Sequence, residues 1–253
     1  MSSIGPTRPQ LPEALVRLRS ARGRLLLGAV VVVCLPVIAL LFGLIALAVV
    51  LDSPGPVLYR ARRIGQGGKP FVMLKFRKMN ADAAGPALTS IDDPRFTPIG
   101  RFLAMTRLDE LPQVWNVLRG DMRLVGPRPE VEEFVALYPD EYVDIHRVVP
   151  GITGLAQLRF AGESRLFAHV TDDALADHYG SALLPEKIRL DRRYIESRSA
   201  LLDARILALT ALLPIRVALR CAWRKRSAAT PARTFVGLAV VGVFATFLEQ
   251  AGI

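Results

Sequence analysis

Between Leu25 and Leu51 the chain runs for 27 residues without a charge, and Pro36 lies inside that run. A straight helix of this length would reach about 40 Å, against a hydrocarbon core of about 30 Å. The run is too long for the apolar region of a signal peptide. An internal proline deletes one helical hydrogen bond and crowds the preceding turn, which predicts a membrane break at Pro36. Arg17, Arg19, Arg22 and Arg24 precede the run, and Arg60, Arg62 and Arg63 follow it. A spanning helix normally keeps its basic excess on one side. Basic flanks at both ends suit a helix–break–helix that enters and leaves by one face, with its backbone bonds kept internal. This pattern leaves both a re-entrant and a spanning segment open.

Shorter periods follow. Val57 to Ile64 and Pro70 to Phe76 are rich in Val, Tyr and Phe and are joined by Gly65-Gln66-Gly67-Gly68, which predicts a β-hairpin. Thr97-Pro98 predicts a helix start. Leu111, Val114, Trp115 and Leu118 recur at helical spacing, with Gly120 just beyond. Val125 to Pro129 and Pro150 to Gly154 read as turns. Ala204 to Arg226 reads as a helix broken at Pro214, with Arg216, Arg220 and Arg224 on one face and apolar residues opposite, the pattern of an interfacial or a solvated surface helix. Thr234 to Leu248 is a second uncharged run, short for a span.

Composition sharpens this picture. Of 253 residues, 51% are hydrophobic and 22% charged, which excludes a disordered chain. The formal net charge is +10 and is patchy: Arg60 to Lys78 holds seven bases and no acid, while Glu130 to Asp144 holds six acids and no base. Basic stretches beside an apolar anchor point to anionic lipid or to phosphate-bearing substrates. Nucleic acid is not expected, since no aromatic interleaving or zinc spacing accompanies the charge. Cys34 and Cys221 form no disulfide framework, and His146, His169 and His178 have no ligand spacing.

The densest candidate for chemistry is Thr106-Arg107-Leu108-Asp109-Glu110-Leu111-Pro112-Gln113. Thr106 and Asp109 have capping-box spacing, and acids favour a first helical turn. The other reading is a carboxylate nucleophile that takes up a phosphoryl group, which needs cations and a divalent metal. Lys75, Arg77, Lys78, Arg107 and Arg128 are the available cations.

In order, these segments resemble the bacterial sugar transferases that act on polyprenol phosphate, the monotopic phosphoglycosyl transferases. The likeness runs from about Leu25 to about Arg216. It rests on the proline-bearing apolar run, Gly55-Pro56-Val57, Lys75 to Met79, Gly100-Arg101-Phe102, Leu108 to Met122, Val125 to Pro129, Pro150 to Gly154 and Leu201-Leu202-Asp203.

The resemblance implies a mainly helical α+β fold. A re-entrant membrane helix–break–helix would join a small cytosolic catalytic domain that has a short β-hairpin and amphipathic interfacial helices. The chain would divide into a basic N-terminal segment (1–24), the re-entrant helix (25–51), the phosphoglycosyl transferase domain (52–226) and an apolar tail without an assigned role (227–253). The implied reaction moves a sugar-1-phosphate from a UDP-sugar to undecaprenyl phosphate at the cytoplasmic face of the bacterial inner membrane. It releases UMP and starts a lipid-linked glycan such as an exopolysaccharide.

By the same resemblance Asp109 is the nucleophile that forms a covalent phosphosugar, and Glu110 assists. Lys75 and Arg128 face phosphate, with Arg77 and Arg107 as further phosphate-binding candidates from the cations noted above, while Asp109, Glu110 and Asp203 hold Mg2+. Anionic lipid and a second copy of the chain are further implied partners. Ala104, Val149 and Ala161 stand where the family usually has arginine, which implies altered recognition, or else a weakened enzyme kept as a membrane-bound assembly partner.

Overall fold

The computed structural model describes residues 21–85, 88–90, 93–161, 167 and 172–227, with side-chain surroundings from Pro36 to Leu213 except at 172–173. The N-terminal basic segment as far as residue 20 and the tail beyond 227 lie outside the described residues. The chain divides into two compact units, Met1–Ala48 and Val49–Ile253.

Helix α1 (Ala21–Asp52) contains Pro36 within a single helix, where the sequence suggested a break. A proline removes one bond of the ladder, and the turns on either side remain helical. Its last turn, Val49–Asp52, belongs to the second unit. From Val37 to Leu51 its large apolar side chains are mostly exposed, Leu40 at 65% and Leu51 at 77%. Among the described residues no helix is long and apolar enough to cross a membrane.

The second unit is α+β and mostly helical. The expected hairpin is present: β1 (Leu58–Ile64) pairs antiparallel with β2 (Pro70–Phe76), with Tyr59 opposite Lys75. Helix α2 (Pro98–Thr106) starts at Thr97, whose hydroxyl accepts the Gly100 N–H at 2.9 Å. Helix α3 (Gln113–Leu118) leads to β3 (Arg123–Val125), and two short helices follow, α4 (Glu132–Val135) and α5 (Pro139–Ile145).

Pro150 to Gly154 holds more than a turn. It contains β4 (Gly151–Thr153), which pairs in parallel with β3. A Cβ on Gly151 would collide with the Gly126 backbone, so these two segments approach as only glycine allows. Then come α6 (Leu155–Arg159), α7 (Asp172–His178), α8 (Leu184–Ser197) and α9 (Ala200–Ser227), which continues through Pro214 rather than breaking there.

Among the described residues, two larger apolar clusters accompany a small one of Ala61, Met73 and Met122 under the hairpin. Leu190, Tyr194, Ile206 and Leu209 pack with Leu155 and Leu158. Phe134, Tyr142, Phe167, Tyr179, Leu184 and Ile188 form the other.

Candidate active site

The site is built where α2 stops. Thr106 does not open a capping box: it is the last residue of α2, and its hydroxyl donates back to the Phe102 carbonyl at 2.8 Å. Arg107 then adopts φ 61° and ψ 13°, and among the described residues it alone of the non-glycines has positive φ. That left-handed conformation costs roughly 1–2 kcal/mol and turns the chain abruptly. A single 3-10 turn, Leu108–Glu110, follows and buries both acids, leaving Asp109 3% and Glu110 8% exposed.

Three cations converge on one oxygen of Glu110. Arg128 Nη2 donates to Oε1 at 2.6 Å, Lys75 Nζ lies 3.4 Å from it, and Arg107 Nη1 lies 3.5 Å away. The loop after β3 carries Arg128, and β2 carries Lys75. Burial alone would raise the Glu110 carboxyl, but Arg128, Lys75 and Arg107 together hold it well below its ordinary range.

Asp109 is the opposite case. Burial, reinforced by the Glu110 charge, raises its carboxyl against the pull of Lys75, Lys78 and Arg107. Its Oδ1 is buried without a hydrogen-bond partner among the described residues. Lys75 is pushed down to about 7 by burial and by Arg128, against the attraction of the two acids.

Among the described residues no three His, Cys, Asp or Glu side chains group as metal ligands. The expected trio is therefore not assembled. Asp203 instead accepts the Tyr194 hydroxyl at 2.7 Å in the first turn of α9, and the same hydroxyl lies 3.3 Å from the Val125 carbonyl. Asp203 thus braces α8 and α9 behind the loop that holds Arg128. A two-carboxylate set still fits Mg2+, which takes one or two protein carboxylates and completes its shell with water and substrate phosphates. The unpartnered Asp109 oxygen beside Glu110 supplies such a set.

Arg77 has a different place from the phosphate-binding one expected of it. Its Nε donates to the Pro56 carbonyl at 2.7 Å. Nη1 bonds the Ser53 hydroxyl and the Pro54 carbonyl, and Nη2 bonds the Ser53 and Val49 carbonyls. These bonds occupy all five guanidinium donors on the last turn of α1 and the four residues after it, so none is left for phosphate. Arg147, the nearest arginine to Val149, is exposed and pairs with Asp144 at 3.2 Å.

The sequence reading missed Asn116, Gln157, Lys187 and Asp191. Asn116 Oδ1 accepts the Leu74 N–H at 3.0 Å and its Nδ2 donates to the Val72 carbonyl at 2.7 Å. That side chain completes the free edge of the strand that carries Lys75. Helical spacing drew attention to its apolar neighbours instead.

The family model for bacterial sugar transferases matches residues 20–216. The chain is 42% identical over 189 residues to an undecaprenyl-phosphate glucose phosphotransferase of Komagataeibacter xylinus, covering 71% of this chain and 33% of that protein. It is 40% identical over 173 residues to the UDP-glucose:undecaprenyl-phosphate glucose-1-phosphate transferase of Escherichia coli K12, covering 66% of this chain and 34% of that one. An uncharacterized sugar transferase, EpsL of Bacillus subtilis, is 34% identical over 185 residues, covering 73% of this chain and 82% of its own. The matched region is thus about a third of the length of the first two relatives. On the match over most of its length, the chain belongs to the bacterial sugar transferase family.

Proposed function

We propose that this chain transfers a sugar-1-phosphate from a UDP-sugar to undecaprenyl phosphate, with Asp109 as the nucleophile. One observation carries the reading: a buried carboxylate with an unpartnered oxygen sits beside a second carboxylate gripped by three cations. The names of the relatives above supply the substrate classes.

In the first half, an Asp109 oxygen attacks the phosphorus that bears the sugar. A phosphorus–oxygen bond of the diphosphate breaks, and UMP leaves with the electron pair. In the second half, an oxygen of undecaprenyl phosphate attacks the same phosphorus and displaces Asp109, which regenerates the carboxylate. A covalent intermediate lets a soluble donor and a lipid acceptor use one site in turn. Lys75, Arg107 and Arg128 offset the repulsion between anions, while Glu110 holds those cations in place. Asp109 and Glu110 would hold Mg2+, which would neutralise phosphate charge and favour the ionised form of Asp109.

The exposed apolar side chains of α1 support membrane insertion, and the proposed setting is the cytoplasmic face of the inner membrane. Incubation with undecaprenyl phosphate, Mg2+ and a panel of UDP-sugars should release UMP. The Asp109→Asn variant should lose at least a thousandfold in turnover while staying folded. Retention of most activity would remove Asp109 from the nucleophile's role.

A further inference from the structure

The loop that carries Arg128 is tied down at both ends and once in the middle. At one end the Gly126 N–H donates to the Thr153 carbonyl at 2.9 Å, and the Pro127 carbonyl accepts the Gly151 N–H at 2.8 Å. At the other end the Glu130 carbonyl accepts the Ile64 N–H at 2.9 Å, and the Glu130 carboxylate takes the Tyr179 hydroxyl at 2.6 Å. Between them lie Pro127, Arg128 and Pro129. Neither proline has an N–H, so Arg128 carries the one backbone donor of that stretch. The carboxyl of Asp191, on α8, accepts it.

Asp191 is a costly residue for its place. It is buried on α8 beside Lys187, Ile188 and Tyr194, and its Oδ1 has no hydrogen-bond partner among the described residues. Burial and the Glu130 charge push its carboxyl well up, against the pull of Lys187 and Arg128. An apolar side chain of similar size would avoid that cost, so the carboxyl needs a purpose other than stability. A substrate is not that purpose. The space that Asp191 shares with Gln157, Glu130, Lys187 and Arg128 encloses about 20 Å³, room for one water molecule. A water there would serve the second Asp191 oxygen and Gln157, whose two polar atoms are buried without a partner among the described residues. What remains for Asp191 to serve is the loop itself.

We propose that Asp191 is a positioning residue for Arg128. By holding the Arg128 backbone from α8, it sets where the guanidinium meets Glu110 Oε1, the contact made at 2.6 Å. A small rotation of that backbone is magnified at the far end of so long a side chain. A misplacement of about 1 Å in a reacting site costs on the order of a hundredfold in rate. The inference rests on the transfer reading above and deepens it.

The test measures UMP release by the full-length protein in detergent, with undecaprenyl phosphate, Mg2+ and the UDP-sugar it uses best. Asp191→Leu should lower turnover at least about tenfold without lowering the thermal midpoint, since hydrocarbon replaces a buried carboxyl. Asp191→Asn keeps an acceptor for the Arg128 N–H and should stay within about threefold of the wild type. A double-variant cycle decides the matter. In an Arg128→Ala background, Asp191→Leu should cost no more than about twofold further, because the side chain it positions is gone. Should Asp191→Leu fail to fold, the same cycle is run with Asp191→Ala. If the two losses multiply, if Asp191→Leu turns over like the wild type, or if Asp191→Asn fails as badly as leucine, the positioning role is overturned while the transfer reading stands. If the wild-type protein releases no UMP from any UDP-sugar, the transfer reading falls and the positioning role falls with it.

Discussion

Helices α3 and α8 obey opposite rules. In α8 the side chains of Leu184, Ile188, Leu190 and Tyr194 are buried while Arg189, Arg192 and Arg193 face outward, the ordinary arrangement for a helix on a core. In α3 the polar residues are inside, with Gln113 0% and Asn116 1% exposed, and Trp115 and Leu118 stand out at 57% and 74%. The difference lies in what each helix packs against. α8 rests on apolar side chains, whereas α3 meets the bare edge of β2, whose backbone groups need hydrogen bonds more than they need hydrocarbon. Its outward apolar stripe suits the membrane-surface setting proposed above.

The contrast can be broken at its strongest point first. Asn116→Leu keeps the branched shape but strands the Leu74 N–H and the Val72 carbonyl. At about 1–3 kcal/mol for each orphaned group, unfolding in urea should show a loss of roughly 2–6 kcal/mol. On α8 the corresponding blow is apolar: Leu190→Ala should cost about 2–5 kcal/mol by the same measurement. If Asn116→Leu were neutral, the inverted helix would have no structural purpose.

Lys187 and Asp191 are buried charged residues that breach the ordinary pattern of α8, and the effect of Asp191 varies with pH. The folded carboxyl titrates above its ordinary value of 3.8, chiefly because it is buried and then because Glu130 is near. The folded state therefore keeps a proton that the unfolded state has released. Stability falls as pH rises from about 4 toward the folded value, by at most about 1.4 kcal/mol per pH unit, and then levels off. Asp191→Asn should flatten that decline in denaturation curves taken between pH 4 and 8. Parallel curves would mean the carboxyl is not strained by its surroundings. The smallest effect belongs to the outward face of α3, where Leu118→Gln should shift stability by no more than about 0.5 kcal/mol.

The readable parts were those set by neighbours in the chain. The hairpin, the Thr97 cap and the adjacency of Asp109 and Glu110 are local, and local pattern was enough to find them. The role of Asn116 was hidden because the apolar period around it is real but faces outward. Glu130, Gln157 and Asp191 lie on three separate segments, and nothing in their spacing says that one pocket gathers them. Arg77 and Asp203 were noticed, but motif likeness identified them as interesting without showing what they bond. For both, the answer is another part of the protein: the end of α1 for Arg77 and Tyr194 for Asp203.

Arg77 also works as a rivet. It stands two residues beyond Lys75 and grips the carbonyl end of α1, where the helix dipole favours a positive charge. Asp52, in the same last turn, accepts the Ile99 N–H at 3.0 Å and so ties that turn to the start of α2, the helix that Arg107 follows. From the last turn of α1 two short lines of bonds therefore run, one to the strand of Lys75 and one toward the Asp109 turn. Lys75 and the turn that carries Asp109 thus hang from one anchor, the last turn of α1.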